Sequence, residues 1–306
     1  MIQKKAYLVL TLAIIVLLAG CTGGGTNPGK ESPFCGGIEG VELEFLEGSP
    51  PTEVFDNNQF PFDVTLRLLN KGEHSIAPEE ARVELSGISS VDFGGPSYSK
   101  IITTEIQGTH KDSNGDCSPG NPETLSFGSG EEPFRYMHSL PGNTLFTLRA
   151  DLCYKYRGNA TVQFCVQKEA PRFGQDPTCK VDDVKTLSNS GGPLQIENFK
   201  QTQGGGSRIA FSFDILHQGT GAVHSGALCD NSFQSKNKVH VKVYTRGGNA
   251  ICSTLNGASE GDVILIENKR TINCQLDTSQ TPGNREFETP LNIELVYLKY
   301  ISLLEI

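Results

Sequence analysis

The sequence predicts an all-β protein made of two antiparallel β-sandwich domains in tandem, behind an N-terminal export segment. Short runs in which apolar and polar residues alternate recur along most of the chain, and such runs are typical of half-buried strands. Glycine, proline and asparagine separate these runs, as expected for turns. Helical periodicity is almost absent, so we expect many short strands packed as antiparallel sheets.

The first 20 residues have the order of a secretory signal peptide. Lys4 and Lys5 precede an uncharged apolar stretch that begins at Ala6, and small residues follow it. From Ala6 to Gly20 there are 15 residues, whereas a membrane-spanning helix needs about 20. Cleavage of residues 1–20 is therefore favoured over their retention as a membrane helix.

The end of this leader, Leu18-Ala19-Gly20-Cys21, resembles the lipobox of bacterial and archaeal lipoproteins. The resemblance implies that lipid is attached to the thiol of Cys21 and that the leader is removed before it. Residues 21–37 are then the lipidated cysteine and a Gly-rich stretch, which predicts a flexible tether. The expected location is the extracellular face of the membrane, and a plain secretory signal with a soluble product is the alternative.

The chain that follows the leader is acidic. Removing residues 1–20, which contain two lysines, changes the formal net charge from −9 to −11. An acidic surface argues against binding to nucleic acid or to anionic lipid through charge. The membrane is thus expected as a partner only through the lipid, and nucleic acid is not expected as a partner.

Two sets of alternating strands define the predicted domains. In the first domain, residues 38–170, the pattern is clearest over residues 60–68. In the second domain, residues 194–306, it is repeated over residues 209–215 and in several later runs. Residues 171–193 are rich in Gly, Pro and Asp, which predicts a linker between the two domains.

The cysteines indicate an oxidising compartment. Eight remain apart from Cys21, and an even number outside the cell usually forms disulfides. Structural zinc is the competing interpretation, but the sequence has no C-x-x-C pair. Cys252 and Cys274 lie on neighbouring predicted strands and are expected to pair. Once the hairpin described next is accepted, Cys35 with Cys117 and Cys179 with Cys229 follow only by elimination.

A hairpin between residues 146 and 166 predicts the fourth disulfide. Apolar residues alternate with polar ones on both sides of Gly158-Asn159-Ala160. With that triplet as the loop, Cys153 faces Cys165 across the two strands, within disulfide range. The same turn contains the N-glycosylation sequon Asn159-Ala160-Thr161, so Asn159 is a candidate glycan site unless the sequon is accidental.

Several segments resemble those of known surface proteins: Pro50-Pro51-Thr52-Glu53-Val54-Phe55, Leu152-Cys153-Tyr154-Lys155-Tyr156, Phe164-Cys165-Val166 and Thr289-Pro290-Leu291-Asn292-Ile293-Glu294-Leu295. Together with the strand that runs into Asn70-Lys71-Gly72, they resemble uncharacterised archaeal cell-surface lipoproteins with two immunoglobulin-like, CARDB-like domains. The resemblance spans most of residues 35–306. It implies two immunoglobulin-like sandwiches in tandem and a surface location, and it supplies no catalytic residues.

Short motifs that could carry chemistry each have a plainer interpretation. Ser97–Lys100 and Ser235–Lys238 match S-x-x-K, but that chemistry needs a helix, and neither segment has helical periodicity. His217 and His224 lack a nearby third metal ligand. Asp112–Asp116 matches the first half of a calcium loop without its distal glutamate, so a polar turn is expected. We therefore expect no catalytic residues, no metal and no cofactor.

These observations predict a lipid-anchored cell-surface binding or adhesion protein, not an enzyme. Loops carry function on sandwich scaffolds, and the longest irregular stretch, Thr104–Glu132, is the first candidate for contact with an extracellular protein or glycan. A structural subunit of an envelope or surface-appendage assembly is the alternative, and an extracellular hydrolase is a minor one.

The C-terminal strand is predicted to make a contact beyond its own core. One face of this strand is apolar through Leu291, Ile293 and Leu295. The opposite face also becomes apolar, through Val296, Leu298 and Tyr300. A strand that is apolar on both faces must be covered on both. The cover is expected to be the first domain or the segment from Cys179 to Pro193, or else a partner or a second copy.

Overall fold

The computed structural model describes residues 32–95, 97–130, 132–167, 178–204, 207–246, 248–279 and 286–305. The predicted signal peptide, Cys21 and residues 171–177 of the predicted linker lie outside this part of the chain. Residues from Phe34 onward form one compact unit. Within the described residues, no helix is both long enough and apolar enough to cross a membrane.

The regular secondary structure of the described chain is almost entirely strand, as the alternating pattern predicts. Its regular helical structure consists of a short helix α1, Ser90–Phe93, and a single 3₁₀ turn, Ser253–Leu255. The strands, in order, are β1 Val41–Phe45, β2 Val64–Asn70, β3 Ala81–Ser86, β4 Ser99–Ile101, β5 His110–Lys111, β6 Cys117–Ser118, β7 Glu123–Phe127, β8 Leu148–Val166, β9 Leu187–Asn189, β10 Leu194–Gln203, β11 Arg208–His217, β12 Ala222–His224, β13 Lys238–Thr245, β14 Asn249–Cys252, β15 Glu260–Ile264, β16 Lys269–Asp277 and β17 Phe287–Glu305.

Three sheets build the body, and the pairings between their strands are antiparallel. The largest has the order β15-β13-β17-β8-β3-β4, with β12 added to β17 and β9 added to β8. A second sheet has the order β1-β2-β7 and a third the order β10-β11-β16-β14. The two short strands β5 and β6 form a separate ribbon. The all-β prediction is therefore confirmed.

The centre of the large sheet is a ribbon of two 19-residue strands, β8 and β17, paired along their whole length. The hairpin predicted around Asn159 is therefore wrong. Even-numbered residues face the core on both sides of the triplet, so one uninterrupted strand satisfies the same alternation. Gly158 and Ala160 place only small groups on that face, where Leu194 crosses β8. The carbonyl oxygen of Leu194 lies 3.7 Å from the position that a Cβ atom would occupy on Gly158.

The two predicted domains share this sheet. β8 belongs to the predicted first domain, residues 38–170, and β17 to the second, residues 194–306, yet they are direct neighbours. Because residues from Phe34 onward form one compact unit, the structure does not divide the chain at residues 171–193 as the composition predicts.

The smaller sheets cover different parts of the large one. The sheet β1-β2-β7 lies over the first half of β8, where the backbone N–H of Val41 donates to the Tyr154 hydroxyl at 3.0 Å. The sheet β10-β11-β16-β14 lies over the second half, where the rings of Phe164 and Phe211 meet edge to face at 5.3 Å. The core is thus continuous from one covering sheet to the other.

Buried tyrosines join the two halves at the middle of the ribbon. Tyr156 packs against Tyr297 with ring centroids 5.8 Å apart. Its hydroxyl donates to the carbonyl oxygen of Gly191 at 2.9 Å and accepts from the backbone N–H of His74 at 3.3 Å. One side chain therefore holds the turn after β2 and the segment before β10 against β8.

The turn at Asn70-Lys71-Gly72 is present where the sequence predicts it. The Asn70 side chain accepts from the backbone N–H of Gly72 at 3.1 Å and donates to the carbonyl oxygen of His74 at 2.7 Å. A side chain at position 72 would collide with the Tyr156 hydroxyl and with the carbonyl oxygen of Glu39, so glycine is required there.

The eight cysteines form four disulfides, and two of the predicted pairs are correct. Cys35 pairs with Cys117, and Cys252 with Cys274, with Cα atoms 5.8 and 3.9 Å apart. The predicted pairs Cys153 with Cys165 and Cys179 with Cys229 are wrong. The structure joins Cys153 to Cys229 and Cys165 to Cys179 instead. Twelve residues of extended strand separate Cys153 from Cys165 by about 40 Å, which no disulfide can span.

The folded body begins earlier than the predicted tether allows. The backbone N–H groups of Cys35 and Gly36 donate to the carboxylate of Glu73 at 2.9 and 3.0 Å, and Gly191 donates to the same carboxylate. Since Cys35 is also disulfide-bonded, residues 34–37 belong to the fold and not to the tether predicted over residues 21–37.

Candidate functional site

An open groove lies at the end of the β8–β17 ribbon where β8 begins and β17 ends. Its cavity volume is about 590 Å³, within the usual range for ligand sites. One wall is the segment Pro50–Asp56 before β2, and the other is the segment Leu140–Phe146 before β8. We call this feature the aromatic groove, and its remaining lining residues are Phe62, Ile88, Phe93, Tyr136, Leu148 and Glu305.

The floor of the aromatic groove is a cluster of packed rings. Phe93 contacts Phe62, Tyr136 and Phe146 with ring centroids 6.1, 5.1 and 5.0 Å apart, each close to edge to face. Phe93 and Tyr136 are buried. Edge-to-face packing of this kind fixes ring positions, so the floor is a preformed apolar surface.

The two walls are fastened to each other at one end. The backbone N–H groups of Asn57 and Asn58 donate to the carbonyl oxygens of His138 and Tyr136 at 3.0 and 2.7 Å. The carboxylate of Asp56 accepts from the backbone N–H of Leu140 at 2.9 Å. These bonds hold the groove open at a defined width although its walls have no regular secondary structure.

Large apolar side chains on the walls remain exposed. Leu145 is 87% exposed, Phe55 is 53% exposed and Val54 is 38% exposed. The Phe55 ring contacts Phe60 at 5.0 Å, yet Phe60 is itself 64% exposed. A patch of exposed apolar groups next to a concave floor is typical of an interaction site.

The backbone of both walls has unused hydrogen-bonding groups. Among the described residues, the N–H groups of Thr52, Glu53, Val54 and Phe55 make no hydrogen bond, and neither do those of residues 143–145. Exposed backbone of this kind can pair with an added extended chain.

The charge at the groove is negative. Its lining contains Glu53, Asp56 and Glu305 and no lysine or arginine. Glu53 and Glu305 form no ion pair with any described residue. Beside the groove, Asp92 lies 3.3 Å from the Nε2 atom of His138. The apolar floor is therefore flanked by two carboxylates, those of Glu53 and Glu305, that form no ion pair within the described chain.

The loop predicted to contact a ligand does not line this groove. Thr104–Glu132 contains β5, β6 and β7, and part of it packs along the turn after β2, where Thr109 N–H donates to the carbonyl oxygen of Gly72 at 2.7 Å. Sequence reasoning missed the groove residues. The available signal was the stretch of residues 50–59, which has apolar residues and prolines but no strand alternation.

The Asp112–Asp116 segment is a polar turn. One carboxylate oxygen of Asp112 accepts from the backbone N–H groups of Asn114 and Asp116 at 2.8 and 2.9 Å, and these bonds lower the pKa of that carboxyl group. Within the described ranges, no group of three or more His, Cys, Asp or Glu side chains is arranged to hold a metal ion.

The second S-x-x-K segment places a serine beside a histidine. Ser235 Oγ lies 3.3 Å from His224 Nδ1, but it donates to the carbonyl oxygens of Ser232 and Asp230 at 2.8 and 3.0 Å. Both side chains are buried, and the Asp230 carboxylate accepts from the backbone of Ser232. This arrangement closes a turn and gives Ser235 no access to a substrate. In the first S-x-x-K segment, Ser97 precedes the edge strand β4 and Lys100 lies within that strand.

The two histidines considered as metal ligands lie in different environments. His224 packs against Tyr300 with ring centroids 4.5 Å apart. His217 contacts Lys299, whose amine nitrogen lies 2.5 Å from His217 Nε2. Burial lowers the pKa of Lys299 to about 7. Burial, and then the charge of Lys299, lower the pKa of His217 to about 4.

Lys299 lies at the back of a second, smaller cleft of about 330 Å³. Glu39, Glu42 and Lys71 line the same cleft, and the amine of Lys71 forms ion pairs with both carboxylates at 3.5 and 3.1 Å. Both carboxylates of this cleft are therefore already paired with a lysine, in contrast to Glu53 and Glu305 of the aromatic groove.

Asn159 and the C-terminal stripe are found within the large sheet. Asn159 is half-buried in β8, its Cα opposite Glu294 of β17, so the sequon is not in the exposed turn that the sequence predicts. Leu298 is buried, and Val296 and Tyr300 are half-buried. The cover near Tyr300 comes from within the chain, because its Cα partner Cys153 is disulfide-bonded to Cys229 in the segment after β12.

Comparison with known proteins finds no family model that matches this chain and no match among curated sequences. The resemblance to archaeal surface lipoproteins therefore rests on the sequence segments quoted above.

Proposed function

We propose that the protein is a lipid-anchored cell-surface binding protein and that the aromatic groove is its ligand site. The observation that carries this proposal is the groove itself, in which a preformed ring floor meets exposed Phe55 and Leu145. Concave apolar sites with a few polar groups are the usual form of a ligand site. The proposal assigns no catalytic residues and no cofactor.

The export leader and the disulfides support a location outside the cell. All eight cysteines that follow Cys21 pair with one another, as is usual in oxidising compartments. Cys21 is proposed to carry the lipid, as the lipobox resemblance implies. The folded body starts at Phe34, which leaves a short segment after Cys21 as the tether.

The proposal is tested by affinity capture with the native lipoprotein from detergent-solubilised envelopes. The variant Phe55→Ser with Leu145→Ser removes exposed apolar groups from the groove walls. A matched variant, Phe233→Ser with Ile266→Ser, removes exposed apolar groups elsewhere, since Phe233 is 88% and Ile266 63% exposed. We expect the groove variant to lose captured partners that the wild type and the matched variant retain. Equal capture by all three proteins contradicts the proposal.

A structural role in an envelope assembly is the second candidate. It is favoured by the open edge strand β15, where Ile264 is 53% exposed and Ile266 in the following turn is 63% exposed. Exposed apolar edges are templates for pairing with another chain. If the Ile266 variant loses partners and the groove variant does not, this second function replaces the first.

A further inference from the structure

We propose that the aromatic groove receives an extended polypeptide segment in which apolar side chains alternate with lysine or arginine. This inference rests on the proposed function, because it names the ligand class of the same site. Three independent properties of the groove carry it, namely its floor, its wall backbone and its charge.

The floor favours apolar side chains over sugar rings. Its rings pack edge to face on one another, and both Phe93 and Tyr136 are buried, so they offer a pocket instead of a flat, open ring face. A pocket of this shape suits aliphatic or aromatic side chains, which gain by leaving water. Sugar recognition would need polar side chains that converge on the floor, whereas the polar side chains of Thr52, Asn143 and Thr144 belong to the walls. The floor is made of Phe62, Phe93, Phe146 and Leu148 with Tyr136.

The wall backbone favours a polypeptide over a small apolar molecule. Residues 52–55 and 143–145 have backbone N–H groups that are unpaired within the described chain and exposed beside the floor. An extended peptide uses main-chain hydrogen bonds for affinity and alternate side chains for specificity. Because neighbouring side chains of an extended chain point in opposite directions, every second one would face the floor.

The charge selects cationic residues at the other positions. Glu53, Asp56 and Glu305 line the groove without any lysine or arginine. Complementary charge speeds encounter and excludes wrong partners, and its effect declines as salt is added. Lysine or arginine in the bound segment can reach these carboxylates while the apolar residues fill the floor.

The test uses a fluorescent reporter at the groove. The chain has no tryptophan, so Leu145→Trp, at a position that is 87% exposed, introduces a single tryptophan on the wall. The probes are capped eight-residue peptides in which Val alternates with Lys, Val with Glu, or Ser with Lys. A fourth probe is the Val-Lys peptide with (E)-alkene units in place of its backbone amides, which removes the carbonyl oxygens that the wall N–H groups would bind. A fifth is a neutral chitin oligosaccharide.

We expect that only the Val-Lys peptide produces a saturable change in the tryptophan emission. The affinity of this peptide should fall as the NaCl concentration is raised. Replacing both Glu53 and Glu305 by glutamine should weaken its binding about tenfold, on the order of threefold for each exposed charge. The matched variant Glu267→Gln with Glu288→Gln, which removes two exposed carboxylates that do not line the groove, should bind as tightly as the unmodified reporter.

Equal binding of the Val-Lys and Val-Glu peptides overturns the charge requirement, and unchanged binding of the alkene peptide, which lacks the backbone carbonyl oxygens, overturns the main-chain pairing. Saturable binding of the oligosaccharide alone overturns the polypeptide class in favour of a glycan. Each of these outcomes leaves the groove as the ligand site. In contrast, if no probe binds and the groove variant still captures all envelope partners, the proposed function fails together with this inference.

Discussion

The buried amine of Lys299 makes the stability of the protein depend on pH in a way that one substitution can remove. Lys299 lies on the core face of β17 and is 2% exposed, and its described polar partner is the Nε2 atom of His217 at 2.5 Å. We expect that Lys299→Met, which keeps the length of the side chain and removes the charge, abolishes a rise in stability between about pH 7 and pH 9.

The direction and size of this effect follow from the two protonation states. Burial lowers the pKa of Lys299 from 10.5 to about 7 in the folded protein. Between these values the unfolded chain binds a proton that the folded protein has lost, so the free energy of unfolding rises with pH. Below about pH 7 both states are protonated and the burial penalty is fully present. From pH 7 to pH 9 the expected gain is about 2 kcal/mol.

The assay is urea denaturation of the oxidised protein at pH 7, 8 and 9. His217 does not titrate in this window, because its pKa is lowered to about 4. Lys71→Met is the matched control: Lys71 lines the same cleft, but its ion pairs with Glu42 and Glu39 raise its pKa. The control should keep the rise that Lys299→Met loses. A wild-type protein whose stability is flat from pH 7 to pH 9 would refute the reasoning.

Three further outcomes are expected. Non-reducing peptide mapping should find Cys153 linked to Cys229 and Cys165 linked to Cys179, and a peptide joining Cys153 to Cys165 would contradict the continuous β8. Replacing both Cys165 and Cys179 by serine should lower the free energy of unfolding by about 3 kcal/mol in the chain-entropy model. Tyr156→Phe should lower the free energy of unfolding by about 1–3 kcal/mol, because it leaves the backbone N–H of His74 without its partner and removes one of the two hydrogen bonds to the Gly191 carbonyl oxygen, which keeps the one from Glu73 N–H. The exposed Tyr244→Phe should leave the urea midpoint unchanged. Cys21→Ser should move the protein from the membrane fraction to the soluble fraction, and retention in the membrane with an intact leader would count against lipidation.

Local patterns were sufficient for the strands but not for their connections. The alternation around Val64, Phe211 and Ile293 predicts strands, and all three residues face the core. The alternation in β8 has the same parity on both sides of Asn159, which fits a hairpin and an uninterrupted strand equally well. The difference depends on Leu194 and Tyr297, which pack on β8 from distant parts of the chain. Two incorrect disulfide pairs followed from that one ambiguity.

The groove could not be predicted from the sequence for the same physical reason. Its walls, residues 50–56 and 140–146, are far apart in the chain and have no regular secondary structure of their own. They meet because Asn57 and Asn58 pair with the backbone of His138 and Tyr136. The longest irregular stretch of the sequence is residues 104–132, whereas the exposed apolar groups of the groove lie on two shorter segments.

The long ribbon of β8 and β17 sets the order in which this protein can fold. Every pair along the ribbon joins residues more than 120 positions apart in sequence. Contacts of such long range form slowly, because the chain must close a large loop before they stabilise it. Because synthesis begins at the N-terminus, β8 is made long before its main partner β17. One edge of β8, 19 residues long, therefore stays unpaired until residues 287–305 have been synthesised. An open edge of this length is prone to wrong pairing. Truncation before β17 should therefore yield an aggregating chain instead of a stable first half.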